Sequence, residues 1–168
     1  MNEAQFWDNA AEKYALDPIK DMDAYTYTLE RTRSYLRAED TVLEIGCGTG
    51  STALLLAKSV GTYHGTDISE GMIAIARRKT SQSSVENLSF EAHPALDGIH
   101  AHEGLDAVMA FNLLHLIKDI PATLAAAHDA LRPGGLLITK TPCMRDASLK
   151  YRLLMKAIPI AQMLGKAP

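Results

Sequence analysis

The stretch from Thr41 to Gly50 constrains the fold more than any other part of the chain. It reads Thr-Val-Leu-Glu-Ile-Gly-Cys-Gly-Thr-Gly, and residues 51–58, which follow at once, have a helical pattern. A short run of β-branched and apolar residues predicts a buried parallel strand. Glycines at alternate positions then allow a tight loop in which a ligand lies against the backbone. A strand, a glycine loop and a helix N-terminus in succession predict an α/β fold with a ligand site at the loop.

The spacing of the three glycines, Gly46, Gly48 and Gly50, distinguishes two kinds of nucleotide site. The dinucleotide fingerprint places its third glycine three residues after the second, and that position is Ser51. The order Glu44-x-Gly-x-Gly-x-Gly instead resembles the first motif of the class I, Rossmann-like methyltransferases that use S-adenosylmethionine. Taken alone, the loop has a second interpretation, a tight connection between a strand and a helix with no ligand.

Asp67 ends a second predicted strand, residues 62–68, about twenty residues beyond the start of the glycine loop. A carboxylate at this place accepts hydrogen bonds from both hydroxyls of a ribose. The alternative role is a cap for the next helix, but Ser69 is already a competent cap. Gly-Thr-Asp-Ile-Ser is also similar to the second motif of the family, which implies that Ile68 and Met72 flank the adenine.

The third predicted strand, residues 87–92, is followed by a departure from the family pattern. The resemblance implies an acidic residue just beyond this strand that binds the adenine amino group, and the chain has Ala92-His93-Pro94 there. The Ala92 backbone and the His93 side chain are the candidates for this contact, and Asp97 lies further along. An exposed loop residue is the alternative interpretation of His93.

The fourth predicted strand, residues 104–111, runs into Asn112-Leu113-Leu114-His115. This pattern resembles the fourth motif of the family, whose turn lines the pocket for methyl transfer. Asn112 and Leu113 are therefore expected at the cofactor, because ligands bind at the carboxyl ends of strands in open α/β sheets. His115 is a candidate catalytic residue, and a packing role among the neighbouring leucines is its alternative.

A helix over residues 120–131, a turn at 132–135 and a fifth strand over 136–141 complete the predicted core. The resemblance implies a three-layer, doubly wound and mainly parallel sheet of five strands in the order 3-2-1-4-5. The antiparallel hairpin that ends the family fold is expected to be missing, because residues 142–168 are interpreted as an apolar helical tail. That tail and the exposed edge of the fifth strand favour a homodimer.

Two helices, over residues 6–14 and 22–37, are predicted before the first strand. The segment Trp7-Asp-x-x-Ala-x-x-Tyr14 resembles the N-terminal cap that folds over the cofactor in small-molecule members of the family. Tyr14 is the second candidate catalytic residue, because its hydroxyl can reach a polar group while its ring packs. The alternative is that Trp7 and Tyr14 only anchor the helix to the core.

Composition predicts one globular domain, residues 1–168, with the cofactor-binding core at 38–141. The chain is 47% hydrophobic and 22% charged, which excludes a disordered protein. A net charge of -3 provides no attraction for nucleic acid or an anionic membrane. Two cysteines in no spaced pair and the lack of a signal peptide predict a cytoplasmic protein. His100 and His102 have no further ligand at metal spacing, so no metal site is predicted.

The leading hypothesis is an enzyme that transfers a methyl group from S-adenosylmethionine to a small-molecule acceptor and releases S-adenosylhomocysteine. The resemblance implies that Gly46, Cys47, Gly48 and Gly50 pass close to the methionine part, with Glu44 positioning its ammonium group. The sulfonium already activates the methyl group, so alignment for in-line displacement and exclusion of water supply much of the catalysis. A non-catalytic binding or interaction module is one alternative, favoured by the absent adenine acid. A nicotinamide oxidoreductase is the other, and the chain lacks its glycine spacing and its Tyr-x-x-x-Lys pair.

Overall fold

Helices and strands alternate along the chain in a computed structural model that describes residues 2–142. The helices are α1 (Glu3–Leu16), α2 (Met22–Arg33), α3 (Ser51–Leu56), α4 (Glu70–Ser81), α5 (Ala95–His100) and α6 (Ile120–Ala130). The strands are β1 (Thr41–Ile45), β2 (Thr62–Asp67), β3 (Leu88–Ala92), β4 (Leu105–Phe111) and β5 (Leu131–Lys140). Single turns of 3-10 helix cover Ala57–Ser59 and Leu114–Leu116. Of the predicted apolar tail, residues 142–168, all but Pro142 lie outside the described residues.

The strands form one sheet in the order β3-β2-β1-β4-β5, and every neighbouring pair is parallel. The predicted α/β class and strand order are therefore confirmed. The strand at the centre, β1, pairs with β2 on one side and with β4 on the other, so the chain reverses its winding direction between β1 and β4. Ligands of doubly wound sheets bind at such a switch point, beyond the carboxyl ends of the strands.

Helices cover both faces of the sheet, as a parallel sheet requires. On one face, α2, α3 and α4 pack on side chains that alternate along the strands, among them Val42, Tyr63 and Met109. On the other face, α5 and α6 pack on Leu43 and Val108. Each of these five side chains is fully buried, and burial of an aliphatic side chain contributes about 1.5–3 kcal/mol. The two cores hold the strand ends at the carboxyl edge in fixed relative positions.

The N-terminal helix α1 lies outside these layers, against α4. A capping box starts it, in which the Asn2 side chain accepts from the Gln5 backbone N–H and the Gln5 side chain accepts from the Asn2 backbone N–H. Ala11 is buried with Met72 of α4, and Trp7 packs on this cluster. The helix therefore adds a partial fourth layer, at the same end of the sheet as the glycine loop.

The helix predicted over residues 22–37 ends at Arg33 instead. Tight turns replace the last predicted turn of helix, since Tyr35 N–H donates to the Thr32 carbonyl and Leu36 N–H to the Arg33 carbonyl. The Asp40 carboxylate then accepts from the Arg37 N–H at 2.8 Å and leads the chain into β1.

The turn predicted at residues 132–135 lies inside β5. Leu131 pairs with Leu105 and Leu136 pairs with Ala107, so this segment bulges out opposite a single residue of β4. The glycines do break the regular ladder, but the strand is assigned from Leu131 onward.

Helix α5 was not predicted, and His100 ends it rather than lying on a loop. Pro94 precedes the helix and Gly98 interrupts it, and both are typical of turns. Gly98 is needed there for close packing, because a Cβ on it would lie 2.8 Å from the Thr66 hydroxyl oxygen.

Within residues 2–142 no helix is long and apolar enough to span a membrane. The same part of the chain holds no group of three His, Cys, Asp or Glu side chains arranged to bind a metal ion.

Candidate functional site

The glycine loop joins β1 to α3 and all three glycines have positive φ angles, 67° for Gly46, 55° for Gly48 and 72° for Gly50. Only glycine adopts such angles without strain. Two of the three also have close contacts with other residues. A Cβ on Gly46 would lie 2.6 Å from Leu113, and a Cβ on Gly50 would lie 2.7 Å from the Phe90 ring. These two glycines let the loop pack against the protein itself.

Gly48, between them, is different because it is partly exposed and a Cβ on it would meet no clash. The nearest atom to a Cβ built on Gly48 is a ring carbon of Tyr14, at 3.9 Å. Tyr14 comes from the last turns of α1, so the N-terminal helix lies beside the glycine loop. Because Gly48 is partly exposed, a ligand can approach its backbone beside the Tyr14 ring.

Asp67 lies beside Gly48, at the carboxyl end of β2. Its carboxylate accepts from the Gly48 N–H at 2.9 Å and from the Ser69 N–H at 3.0 Å. Burial raises the pKa of this carboxyl, and the two backbone hydrogen bonds partly oppose that effect. Each carboxylate oxygen retains acceptor capacity after one bond, so both can still accept from hydroxyl groups. Ser69 caps α4 through the Met72 N–H, as predicted, so Asp67 is not needed as that cap.

Glu44 lies beneath the loop and is only 2% exposed. Its carboxylate accepts a hydrogen bond from the Tyr63 hydroxyl at 2.7 Å. Burial raises the pKa of Glu44 to about 7, the Tyr63 hydrogen bond lowers it, and the negative charge of Asp67 raises it. Cys47, also in the loop, is buried, and its thiol packs against the core side of the loop. Burial raises the pKa of this thiol well above its usual value, so it stays protonated.

Tyr14 has a raised pKa for the same physical reasons. Burial is the largest cause, and the charges of Asp67 and Glu44 add to it. The phenol therefore keeps its proton at neutral pH and offers a hydrogen-bond donor. The charges of Asp67 and Glu44 raise the pKa of both Tyr14 and Cys47. These two carboxylates give this part of the site a negative potential, which favours a ligand with a positive charge.

Asp8 is a residue of this site that the sequence analysis did not single out. Its carboxylate accepts from the Ser69 hydroxyl at 2.6 Å and from the Gly71 N–H at 2.9 Å. These bonds lower the pKa of Asp8 and join α1 to the turn that carries Asp67. The contact spans 61 residues of sequence, and no local pattern around Asp8 signals it.

Lys79 is a second residue that was missed. From α4, its ammonium group donates to the hydroxyls of Thr49 at 2.9 Å and Ser51 at 2.8 Å, on the outer side of the glycine loop. Helical periodicity alone gave it no role, since a lysine late in an amphipathic helix is ordinarily solvated.

The residues predicted around an adenine lie near Asp67, but their side chains differ in exposure. Ile68 is partly exposed, whereas Met72 is 2% exposed and packs under α1 with Ala11. The His93 backbone N–H is already used, because it donates to the Asp67 carbonyl at 2.9 Å. The His93 side chain pairs with Glu91 at 3.3 Å.

Ala92 ends β3 opposite Asp67 and is partly buried, while Asp97 lies on the exposed first turn of α5. The structure therefore places the Ala92 backbone next to the candidate ribose site. It leaves Asp97 on a separate helix.

The turn after β4 closes the other side of the site. Asn112 is exposed and has φ of 54°, which makes it the sole non-glycine residue with positive φ in residues 2–142. Leu113 covers Gly46, and His115 is exposed on the following 3-10 turn. Beside this turn lies a cavity of about 40 Å³ between α2 and the ends of β4 and β5. Its lining residues are Tyr25, Thr28, Leu29, Thr32, Thr52, Phe111, Asn112 and Lys140.

Comparisons with known proteins agree with this geometry. The family model described as "Methyltransferase domain" matches residues 43–137. The demethylmenaquinone methyltransferase of Symbiobacterium thermophilum is 33% identical over 110 residues, which cover 63% of this chain and 44% of that protein. The polyketide synthase ThaG of Burkholderia thailandensis is 40% identical over 108 residues, covering 58% of this chain and 2% of that protein. The chain thus spans less than half of the length of these curated relatives.

Among solved structures, the DhpI–SAH complex is similar in fold. It superposes with a TM-score of 0.70 at 25% identity, covering 83% of this chain and 68% of that one.

Proposed function

Because the chain belongs to the class I methyltransferases that depend on S-adenosylmethionine, we propose that it transfers a methyl group from this cofactor to a small organic acceptor. The observation that carries the proposal is the partly exposed backbone at Gly48, which lies beside the Asp67 carboxylate and next to the Tyr14 ring. A negatively charged cleft with accessible backbone fits a ligand that has a sulfonium, an ammonium and a ribose.

The residues divide between the parts of the cofactor. Asp67 would accept hydrogen bonds from the ribose hydroxyls, because its two oxygens retain free acceptor capacity. The backbone at Gly48 would approach the methionine part, with Glu44 beneath it to attract the ammonium. Ile68 and the Ala92 backbone would border the adenine. Met72 would support this border from below rather than touch the ring, since α1 covers it.

The bound cofactor supplies a methyl group that its sulfonium has already activated. The protein's own task is then to align an acceptor and to keep water away. Tyr14 serves this task as a lid over Gly48, and its protonated hydroxyl can donate a hydrogen bond to a ligand. His115 is exposed, with access to solvent for a proton, and remains the candidate base for an acceptor that loses one.

The acceptor is proposed to enter beside Asn112, where the cavity between α2 and β5 opens. Hydroxyls and an ammonium group line this cavity, among them those of Tyr25, Thr52 and Lys140. The Tyr25 and Thr52 hydroxyl oxygens lie 3.2 Å apart. A polar group on a small acceptor is the ligand that such a lining recognises.

Calorimetric titration with S-adenosylmethionine and S-adenosylhomocysteine tests the proposal, with NAD as the control nucleotide. We expect saturable binding of the first two and no heat from NAD. A chain that binds NAD and neither of the others would overturn it. Once the cofactor binds, a screen of phenols, quinols and activated methylene compounds with a radiolabelled methyl donor identifies the acceptor class.

A further inference from the structure

The hydrogen bond between Tyr63 and Glu44 has no access to water. Tyr63 is fully buried, Glu44 is 2% exposed, and 2.7 Å separates the phenol oxygen from the carboxylate. We propose that Tyr63 is a positioning residue that keeps Glu44 ionised, and so sets the pH above which the site holds the α-ammonium of the cofactor. This inference rests on the proposed function, because it assigns a role in binding the same cofactor.

The sheet register explains why Tyr63 reaches this carboxylate. Glu44 of β1 pairs with Gly65 of β2, and Tyr63 stands two residues earlier on β2, so its side chain lies on the same face. Gly65 has no side chain between them, and the Phe90 ring takes that space, since a Cβ there would lie 2.6 Å from it. The phenol therefore donates along the sheet face to Glu44.

The groups that act on this pair come from four elements. From β2 they are Tyr63 itself and Asp67, from the loop Cys47, and from α1 Tyr14. Tyr25 of α2 acts on the Tyr63 phenol. The strand on the other side, β4, pairs Met109 with Glu44 and contributes no charge.

These groups are a carboxylate, a thiol and phenols, and no basic side chain is among them. A buried carboxylate without a cationic partner is costly to ionise. Burial and Asp67 raise the pKa of Glu44 to about 7, and the Tyr63 hydrogen bond is the contribution that lowers it. A ligand ammonium above the loop would supply positive charge near this buried carboxylate, and its attraction favours the ionised form over the protonated one.

Two consequences follow for ligand binding. Affinity for a ligand with the ammonium rises by about tenfold from pH 6 to pH 8, because the ionised fraction of Glu44 rises by that factor around a pKa near 7. Below the pKa, binding also releases a proton. A ligand with the same adenosine and no ammonium shows neither effect, although it meets the same Asp67.

The experiment compares S-adenosylhomocysteine with 5′-methylthioadenosine, which lacks the amino acid part. Dissociation constants are measured by calorimetry between pH 6 and pH 8 for the wild type, Tyr63→Phe and the control Tyr27→Phe. Tyr27 is exposed on α2, so that variant loses a hydroxyl at no buried site. In Tyr63→Phe the pKa of Glu44 rises, and a one-unit rise weakens S-adenosylhomocysteine binding about fivefold at pH 7. At pH 8 the loss of affinity for S-adenosylhomocysteine is smaller, and the affinity for 5′-methylthioadenosine is unchanged.

The outcomes separate this inference from the proposed function. If neither ligand binds the wild type, both fail. If both ligands bind the wild type, two results refute the role of Tyr63 and leave the proposed function standing. Either Tyr63→Phe weakens the binding of both ligands equally, or it weakens S-adenosylhomocysteine binding by the same factor at every pH. If Tyr63→Phe does not fold, the wild type still decides, through titrations in two buffers of different ionisation enthalpy. Proton release with S-adenosylhomocysteine alone supports the inference, and no release, or equal release with both ligands, overturns it.

Discussion

The carboxyl edge of the sheet has two halves that are built differently. In the cofactor half, residues 44–50 and 67–71, polar groups are buried or partly buried and hydrogen-bonded within the protein, as Glu44 is to Tyr63 and Asp67 is to Gly48. In the half proposed for the acceptor, the turn after β4, Asn112 and His115 are exposed beside a small cavity. The first half is fixed before any ligand arrives, and the second exposes the Asn112 and His115 side chains to solvent. On the proposed function, cofactor binding depends on groups that the fold holds in place, whereas acceptor choice depends on side chains that the fold leaves exposed.

Replacing Gly50 with alanine tests how rigidly the cofactor half is packed. We expect a loss of about 2–5 kcal/mol in the free energy of unfolding, since the positive φ costs about 1–2 kcal/mol and contact with Phe90 about 1–3 kcal/mol. Gly104→Ala is the matched control, because Gly104 has φ of 66° and no atom within 4 Å of its Cβ position. Gly104→Ala should lose only the contribution of about 1–2 kcal/mol that comes from the positive φ. Equal losses in urea unfolding of the two variants would show that the loop packing is loose.

Asp67→Ala removes the carboxylate that connects the loop to the second strand. Hydrogen bonds to a charged group contribute about 1.5–3 kcal/mol, so S-adenosylhomocysteine should bind about 10- to 150-fold more weakly. Calorimetry measures the change, with the exposed Asp97→Ala as the charge-matched control. An unchanged affinity would remove Asp67 from the ribose site.

Asp8→Asn weakens the connection between α1 and the Asp67 turn. Asparagine keeps an acceptor oxygen and loses the negative charge, and a hydrogen bond to a charged group contributes about 1 kcal/mol more than one to a neutral group. The Asp8 pKa is lowered in the folded protein, so its ionised form stabilises the fold above the unfolded pKa, and this contribution is lost as pH falls through the folded pKa. The variant and the wild type should therefore converge in stability in acid.

Glu12→Ala is the comparison for Asp8, since Glu12 pairs with Arg78 on the exposed surface at 3.5 Å. Such a pair contributes between zero and about 1 kcal/mol.

A difference in stability between Asp8→Asn and the wild type that persists unchanged at low pH would mean that the Asp8 side chain acts through packing rather than charge.

His115→Ala should have the smallest effect on cofactor affinity. A surface substitution changes free energies by about 0.5 kcal/mol or less, which is about twofold in a dissociation constant. Methyl transfer to an acceptor that loses a proton should slow by a much larger factor of about 10²–10⁴ if His115 is the base. A large loss of S-adenosylhomocysteine binding would show that the two halves are not separate.

The sequence predicted the part of this architecture that is local. The strand from Thr41, the glycine loop and the Ser69 cap each depend on residues within one short segment, and the strand order came with the resemblance to a family. Long-range contacts were not predicted, because the sequence of one segment does not show which other segment it will contact. Asp8 meets Ser69 and Tyr63 meets Glu44 only once the sheet has formed.

Helix α5 was not predicted, for a related reason. Pro94 and Gly98 are turn residues by local preference, and close packing of Gly98 on Thr66 overrides that preference. The assignment of Met72 to the adenine was equally local, since it did not include the burial of Met72 under α1. Local periodicity identified the elements, while tertiary packing decided which of their residues are accessible.

Glycine amide chemical shifts test the central claim, that the cofactor lies against the backbone at Gly48. Selective 15N labelling of the 11 glycines gives one signal for each, and S-adenosylhomocysteine is titrated into the labelled chain. The account predicts the largest shift at Gly48, with smaller shifts at Gly46 and Gly50. Gly104 and Gly134, away from the loop, should not move. Saturable shifts at Gly104 or Gly134 with the three loop glycines unchanged would contradict the account and place the ligand elsewhere.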